Sequence, residues 1–91
     1  MKYWLHVILL ISFPLQAAII VIDPGHGGSE AGAEKVIYRN SKKVVLKEKD
    51  LALKFAKKLK WHLSKKHQVY LTRSFDKDMD LQERAAVAEK V

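Results

Sequence analysis

The sequence predicts an α/β fold: the start of a mixed or parallel sheet with flanking helices, laid out as a βαβ unit followed by a further helix. Three observations predict it. A continuous, largely β-branched run from Ala18 to Ile22 stops at Asp23-Pro24-Gly25, as a buried strand does when it meets a turn. Residues 50–65 then repeat apolar side chains at three- and four-residue steps, the period of a helix with one face on a core. Gln68 to Thr72 reads as a second strand. Strand, helix, strand in that order implies parallel strands joined by a right-handed crossover.

The elements follow in order. Lys2, the apolar stretch Tyr3 to Leu15 and the small residues of Leu15-Gln16-Ala17-Ala18 have the order of a secretory signal peptide, residues 1–17, with 18–91 as the mature part. The stretch falls short of the roughly 20 apolar residues a bilayer span requires. Pro14 ends any helix there, so no stable membrane insertion is expected once it is removed. Gly25 to Ala33 reads as a loop. Val36 to Tyr38 and Val44 to Leu46 flank Arg39-Asn40-Ser41-Lys42-Lys43, which predicts a short hairpin or an extended excursion.

In the helix, Leu51, Ala52, Phe55, Ala56, Leu59 and Leu63 share one stripe, and Lys54, Lys57, Lys58 and Lys60 lie off it. Glu48 and Asp50 at its start, with Lys65 and Lys66 at its end, match the macrodipole. Asp76 to Asp80 forms an acidic turn, and Asp80-Leu81-Gln82-Glu83 fits a capping box that starts an Ala-rich helix still running at Val91.

Length and composition narrow the chemistry. The chain has 91 residues, one small domain at most, and no cysteine. Cys-based metal sites and disulfide staples are excluded, so any metal must sit on His and carboxylate ligands. The net charge is +7, and the excess is local: residues 35–66 carry twelve Lys/Arg against Glu48 and Asp50. That half suits an anionic partner such as a cell-envelope polymer, and equally reads as solvated lysines. Export argues against a nucleic-acid partner.

Residues 21–28, Val-Ile-Asp-Pro-Gly-His-Gly-Gly, carry the sharpest signal. Three glycines leave the His26 imidazole open to a ligand. Ligands of open α/β sheets gather outside the carboxyl ends of the strands. His26 follows the first strand and Glu48 begins the next helix, so both reach that edge. Zinc accepts neutral imidazole nitrogen and carboxylate oxygen. Taken alone, the residues leave open a turn histidine and a dipole-favoured glutamate. Nucleotide motifs fail: Ala33-Glu34 replace the Lys-Ser/Thr of a P-loop, and Glu30 replaces the third glycine of a dinucleotide fingerprint. His62 lies about 20 Å from Glu48 along the helix, and His67 precedes the second strand. Both read as surface residues. Arg73 lies on the correct edge and is expected to pair with Asp76 or Asp78 rather than with substrate. Arg84 has the same ambiguity.

Three segments, in order, resemble the N-terminal portion of the zinc-dependent N-acetylmuramoyl-L-alanine amidases, the amidase-3 family. They are residues 20–28 with Gly32-Ala33, Lys47-Glu48-Lys49-Asp50-Leu51, and Val69-Tyr70-Leu71-Thr72-Arg73 with Leu81-Gln82-Glu83-Arg84-Ala85-Ala86. The resemblance implies an incomplete amidase-3-like fold and zinc (Zn2+) as cofactor, with His26 and Glu48 as metal ligands. The implied substrate is peptidoglycan, cut at the amide between the muramic-acid lactyl group and L-alanine. The implied location is exported, periplasmic or otherwise in the cell envelope. It also implies a third ligand, a His in a Ser-x-His-x-Asn-like segment, and a catalytic Glu, both expected beyond Val91. No catalytic residue is therefore assigned within residues 1–91. The Arg39 to Lys43 region is longer than the usual family connection. The alternative is a non-catalytic remnant that binds peptidoglycan without cutting it.

Overall fold

The computed structural model describes residues 16–91. The predicted signal peptide lies almost wholly outside the described residues. Six elements follow: β1 (Ile19–Ile22), β2 (Glu34–Arg39), β3 (Lys42–Lys47), α1 (Glu48–Leu63), β4 (Gln68–Leu71) and α2 (Leu81–Lys90). β1 and β4 pair in parallel, Ile19 with Gln68 through Ile22 with Leu71. The ladder is extended at both ends, where Gln68 N donates to Ala18 O and Thr72 N to Ile22 O, each at 3.0 Å. The predicted βαβ unit is therefore present, with α1 as the connection. Among the described residues no helix is long and apolar enough to cross a membrane.

The hairpin does not join that sheet. β2 and β3 form their own antiparallel pair, from Glu34 opposite Lys47 to Arg39 opposite Lys42. A two-residue turn closes it, with Asn40 and Ser41 both at positive φ, 52° and 63°. Two left-handed residues give the twist that matches flanking strands, and Asn is among the residues that tolerate it. The strands are longer than the sequence predicts because Lys and Arg continue the ladder where apolar alternation has stopped.

α1 starts on Glu48, two residues before the apolar repeat. Its N-cap, Lys47, makes no side-chain cap. The free amides of the first turn are satisfied instead by the preceding loop: Glu48 N donates to Ala33 O (2.9 Å) and Lys49 N to Ala31 O (3.0 Å). Backbone carbonyls thus do what a Ser or Asp cap usually does. α2 uses the expected device, with the Asp80 carboxylate accepting from Glu83 N at 2.7 Å.

The core is small. Ala56 and Val69 are its buried apolar residues among those described. Here the predicted stripe of α1 needs correction. Leu51 and Phe55 are 52% and 68% exposed, while Ala52, Leu53, Ala56, Leu59 and Leu63 turn inward. A two-stranded sheet is too narrow to cover a stripe that wide, so its outer edge stays in water.

Candidate metal centre

β1 ends at Ile22, and the chain turns through Pro24 and Gly25 to His26. His26 sits at φ 63°, a left-handed conformation that a non-glycine residue adopts only when its surroundings impose it. Two arginines hold the carbonyls of this loop. Arg84 donates to Pro24 O (2.8 Å) and His26 O (2.7 Å) and pairs with Asp23 Oδ1 (2.6 Å). Arg73 donates to Pro24 O (3.0 Å), Gly25 O (2.8 Å), Lys49 O (3.0 Å) and Phe75 O (3.3 Å). This corrects the expectation for Arg73: it makes no pair with Asp76 or Asp78 but grips backbone carbonyls. The planar fork of a guanidinium can bind several carbonyls at once, which an ammonium cannot. Burial, with Arg84 nearby, lowers the Arg73 pKa.

The acidic turn closes over the glycines from the other side. Asp76 accepts from Gly28 N (2.7 Å) and from Lys49 Nζ (2.8 Å), and Asp78 accepts from Ser29 N (2.8 Å) and Ser29 Oγ (2.7 Å). A Cβ on Gly27 would collide with Lys77 O, and one on Gly28 with the Asp78 carboxyl. The glycines are there because this strap lies directly on them.

Within this frame His26 and Glu48 meet. His26 Nε2 stands 3.0 Å from Glu48 Oε1. The second polar atom of each is also held: Glu30 Oε1 lies 3.3 Å from His26 Nδ1, and Glu48 Oε2 accepts from Ala33 N at 2.9 Å. The Glu48 hydrogen bond, with Glu30 behind it, raises the His26 pKa above its ordinary value. The Ala33 amide, then His26, lowers that of Glu48. A divalent ion held by both would take the place of the shared proton.

The pair suits a metal by chemistry: a neutral imidazole nitrogen and a carboxylate oxygen face each other. Two bonds of about 2.0–2.2 Å at a tetrahedral angle put the donor atoms about 3.3–3.5 Å apart. His26 Nε2 and Glu48 Oε1, at 3.0 Å, stand a few tenths of an ångström closer than that. Glu30 orients the far nitrogen of the imidazole, as outer carboxylates do around metal-bound histidines. The sequence reading missed that role and used Glu30 only to exclude a dinucleotide. Its i+4 spacing from His26 is a contact signal only within a helix, and these residues lie in a loop. Among the described residues no three His, Asp or Glu converge as a metal-binding group. His62 is exposed. His67 accepts from Ala18 N (2.9 Å) and ties the start of β1 to that of β4. An open cleft of about 490 Å³ borders His26 and Glu30 and is closed by Met79, Leu81 and Arg84.

Comparisons with known proteins give the family. Residues 20–91 match the N-acetylmuramoyl-L-alanine amidase family, amidase-3, and the chain belongs to it. Among its relatives is the probable cell wall amidase LytH of Staphylococcus epidermidis, 45% identical over 76 residues, which are 82% of this chain and 24% of the relative. Its structure resembles the catalytic domain of CwlV, an N-acetylmuramoyl-L-alanine amidase from Bacillus (Paenibacillus) polymyxa, at a TM-score of 0.62 and 32% identity over 82% of this chain and 39% of that one. The amidase AmiC2 of Nostoc punctiforme gives 0.62 and 33%, over 81% and 37%. The chain thus spans about a quarter of the length of the curated relatives it matches.

The carboxylates of the frame set an acid limit on the fold. Burial raises the Asp23 pKa, but the Thr72 hydroxyl and the Arg84 guanidinium outweigh it and hold Asp23 below its ordinary value. Lys49 lowers Asp76, and Ser29 lowers Asp78. A group depressed in the folded state stabilises fully above its unfolded pKa, about 3.9 for Asp. That contribution fades as pH falls through the lower folded value. The raised His26 pKa adds stability as pH falls from 7 towards 6, so the urea midpoint is expected to be at least as high at pH 5 to 6 as at pH 7 and to drop progressively below about pH 4. A midpoint equal at pH 6 and pH 3 would show that these contacts stabilise nothing.

Proposed function

We propose that this chain supplies the first part of a zinc amidase that hydrolyses the amide between N-acetylmuramic acid and L-alanine in peptidoglycan. The observation that carries the reading is the 3.0 Å approach of His26 Nε2 to Glu48 Oε1, each held from behind by Glu30 and Ala33. His26 and Glu48 would be the protein's first two zinc ligands. Zinc supplies a Lewis acid for the amide carbonyl and lowers the pKa of water. The chain's own residues do the positioning. Arg73 and Arg84 fix the His26 backbone, Glu30 sets the imidazole tautomer, and the Ala33 amide steers one oxygen of Glu48 so that the other faces His26. A zinc hydrolase needs a third protein ligand and a proton-transferring group besides these two.

The 91-residue chain on its own is expected to take up zinc weakly and to release little or no stem peptide from sacculi. Joined to the remaining part of the CwlV catalytic domain, it should free the amino group of L-alanine in a His26-dependent manner. A folded, zinc-loaded chimera that binds sacculi but frees no alanine would refute the amidase reading and favour a non-catalytic binding module.

The same reading makes the protein an exported one, periplasmic or otherwise in the envelope, with residues 1–17 removed. Sequencing the N-terminus of the exported protein should give Ala18, or a residue beside it. A mature chain that still begins at Met1 would contradict processing.

A further inference from the structure

The β2–β3 hairpin has no part in the metal pair, yet it grows directly out of it. Its ladder runs from Glu34 opposite Lys47 into the contacts Glu48 N to Ala33 O and Lys49 N to Ala31 O, so the base of the hairpin is the rim of the site. Six residues per strand at about 3.4 Å carry its tip roughly 20 Å away. Lys35, Arg39, Lys42, Lys43 and Lys47 stand on it against the single acid Glu34. Among the described residues none of the five takes part in an ion pair. Arg39, Lys42 and Lys43 cluster at the exposed tip. Opposite Lys43 in the register is Tyr38, 73% exposed, a ring face on which a sugar can lie.

Cations with no ion-pair partner among the described residues, on a hairpin that grows out of the proposed hydrolytic site, match a ligand that carries anions at intervals and continues from the reacting bond. The other basic, aromatic surface, around Trp61 and Lys65, lies at the far end of α1 and lacks that continuity.

We propose that the hairpin is a substrate-docking arm: Arg39, Lys42 and Lys43 engage the free carboxylates of neighbouring stem peptides on the glycan strand whose amide lies at His26 and Glu48. The inference rests on the peptidoglycan reading above and adds a specificity to it. Strands with free stem carboxylates are held, and strands whose carboxylates are amidated are not. The arm acts through charge, so its hold is screened by salt.

The test is sedimentation of the 91-residue chain with purified sacculi at low and at high salt. Three sacculus preparations are compared: untreated, carbodiimide-amidated at the stem carboxylates, and stripped of phosphodiester polymers. Two variants accompany the native chain, Arg39→Glu/Lys42→Glu/Lys43→Glu and the milder Lys42→Gln/Lys43→Gln, each checked by circular dichroism. The charge reversal is expected to weaken binding to untreated sacculi by about tenfold or more, and the milder variant by a few-fold. Amidation should weaken the native chain to the same degree, and stripping phosphodiesters should change nothing. Equal binding by all three chains would overturn the proposal. So would binding that falls on phosphodiester removal but not on amidation, since the occupant would then be a phosphate polymer. Zinc uptake on the same preparations reports the metal pair separately. A folded chimera with the remaining part of the CwlV catalytic domain that takes up no zinc would overturn the functional reading itself, whereas binding indifferent to tip charge overturns only the arm.

Discussion

Arg73→Ala is expected to abolish the cooperative unfolding transition of the domain. Arg73 is 3% exposed. Its guanidinium donates to four carbonyls drawn from three places: Pro24 and Gly25 in the His loop, Lys49 in the first turn of α1, and Phe75 in the acidic turn. Truncation strands those acceptors and opens a cavity at the junction of both strands and the helix. An unsatisfied buried polar group costs about 1–3 kcal/mol, and the lost bonds were to a charged donor. A loss of about 4 kcal/mol or more is therefore expected. Small domains have only on the order of 5 kcal/mol to lose, and this one has Ala56 and Val69 as its buried apolar centre. Arg73→Lys keeps the charge but offers a point donor in place of a fork, and should recover only part of the loss. Arg39→Ala, at the exposed hairpin tip, should lie within about 0.5 kcal/mol of the native chain. The measurement is urea unfolding followed by circular dichroism. A sigmoidal transition for Arg73→Ala with a midpoint near that of the native chain would show that the carbonyl grip is dispensable.

That prediction also shows what the sequence could and could not reveal. The elements were legible because each has a local cause. β-branched runs ending at Pro-Gly mark β1, a 3.6-residue repeat marks α1, and Asp80 with Glu83 marks the start of α2. The juxtaposition of His26 with Glu48 was legible because a parallel βαβ unit brings a strand end and a helix start to one edge. The role of Arg73 was not. Sequence proximity favours Asp76 and Asp78, but those carboxylates are taken by Lys49 and by the Gly28 and Ser29 amides. Only the tertiary arrangement decides which of several nearby acceptors a long side chain reaches. The exposed Phe55 has the same lesson. Periodicity identifies a helix face, but how much of that face is covered depends on the width of the sheet beneath it.

His26→Ala and Gly32→Ala are both expected to cut zinc affinity, by different routes. On the proposed reading, His26→Ala removes a ligand outright. Structural zinc sites with four ligands bind with about 10–16 kcal/mol, or roughly 3 kcal/mol per ligand, so one lost ligand weakens binding by about 100-fold. Gly32→Ala keeps both side chains but crowds them. Gly32 is at φ 70°, and a Cβ there would lie 2.8 Å from both Glu48 Oε2 and His26 Cδ2. The methyl group would press between the two side chains just where they converge, on a backbone that L-residues rarely adopt. Displacing two ligands by a few tenths of an ångström should cost about 10-fold or more, as misplaced supporting groups do at metal sites. The two routes separate in a cobalt titration. Gly32→Ala should still bind the ion, with a shifted visible absorption, whereas His26→Ala should lose the nitrogen-ligated spectrum. Calorimetry with zinc gives the affinities. Native affinity in Gly32→Ala would mean that the imidazole and carboxylate do not hold one ion between them, and that their 3.0 Å contact is no more than an ion pair.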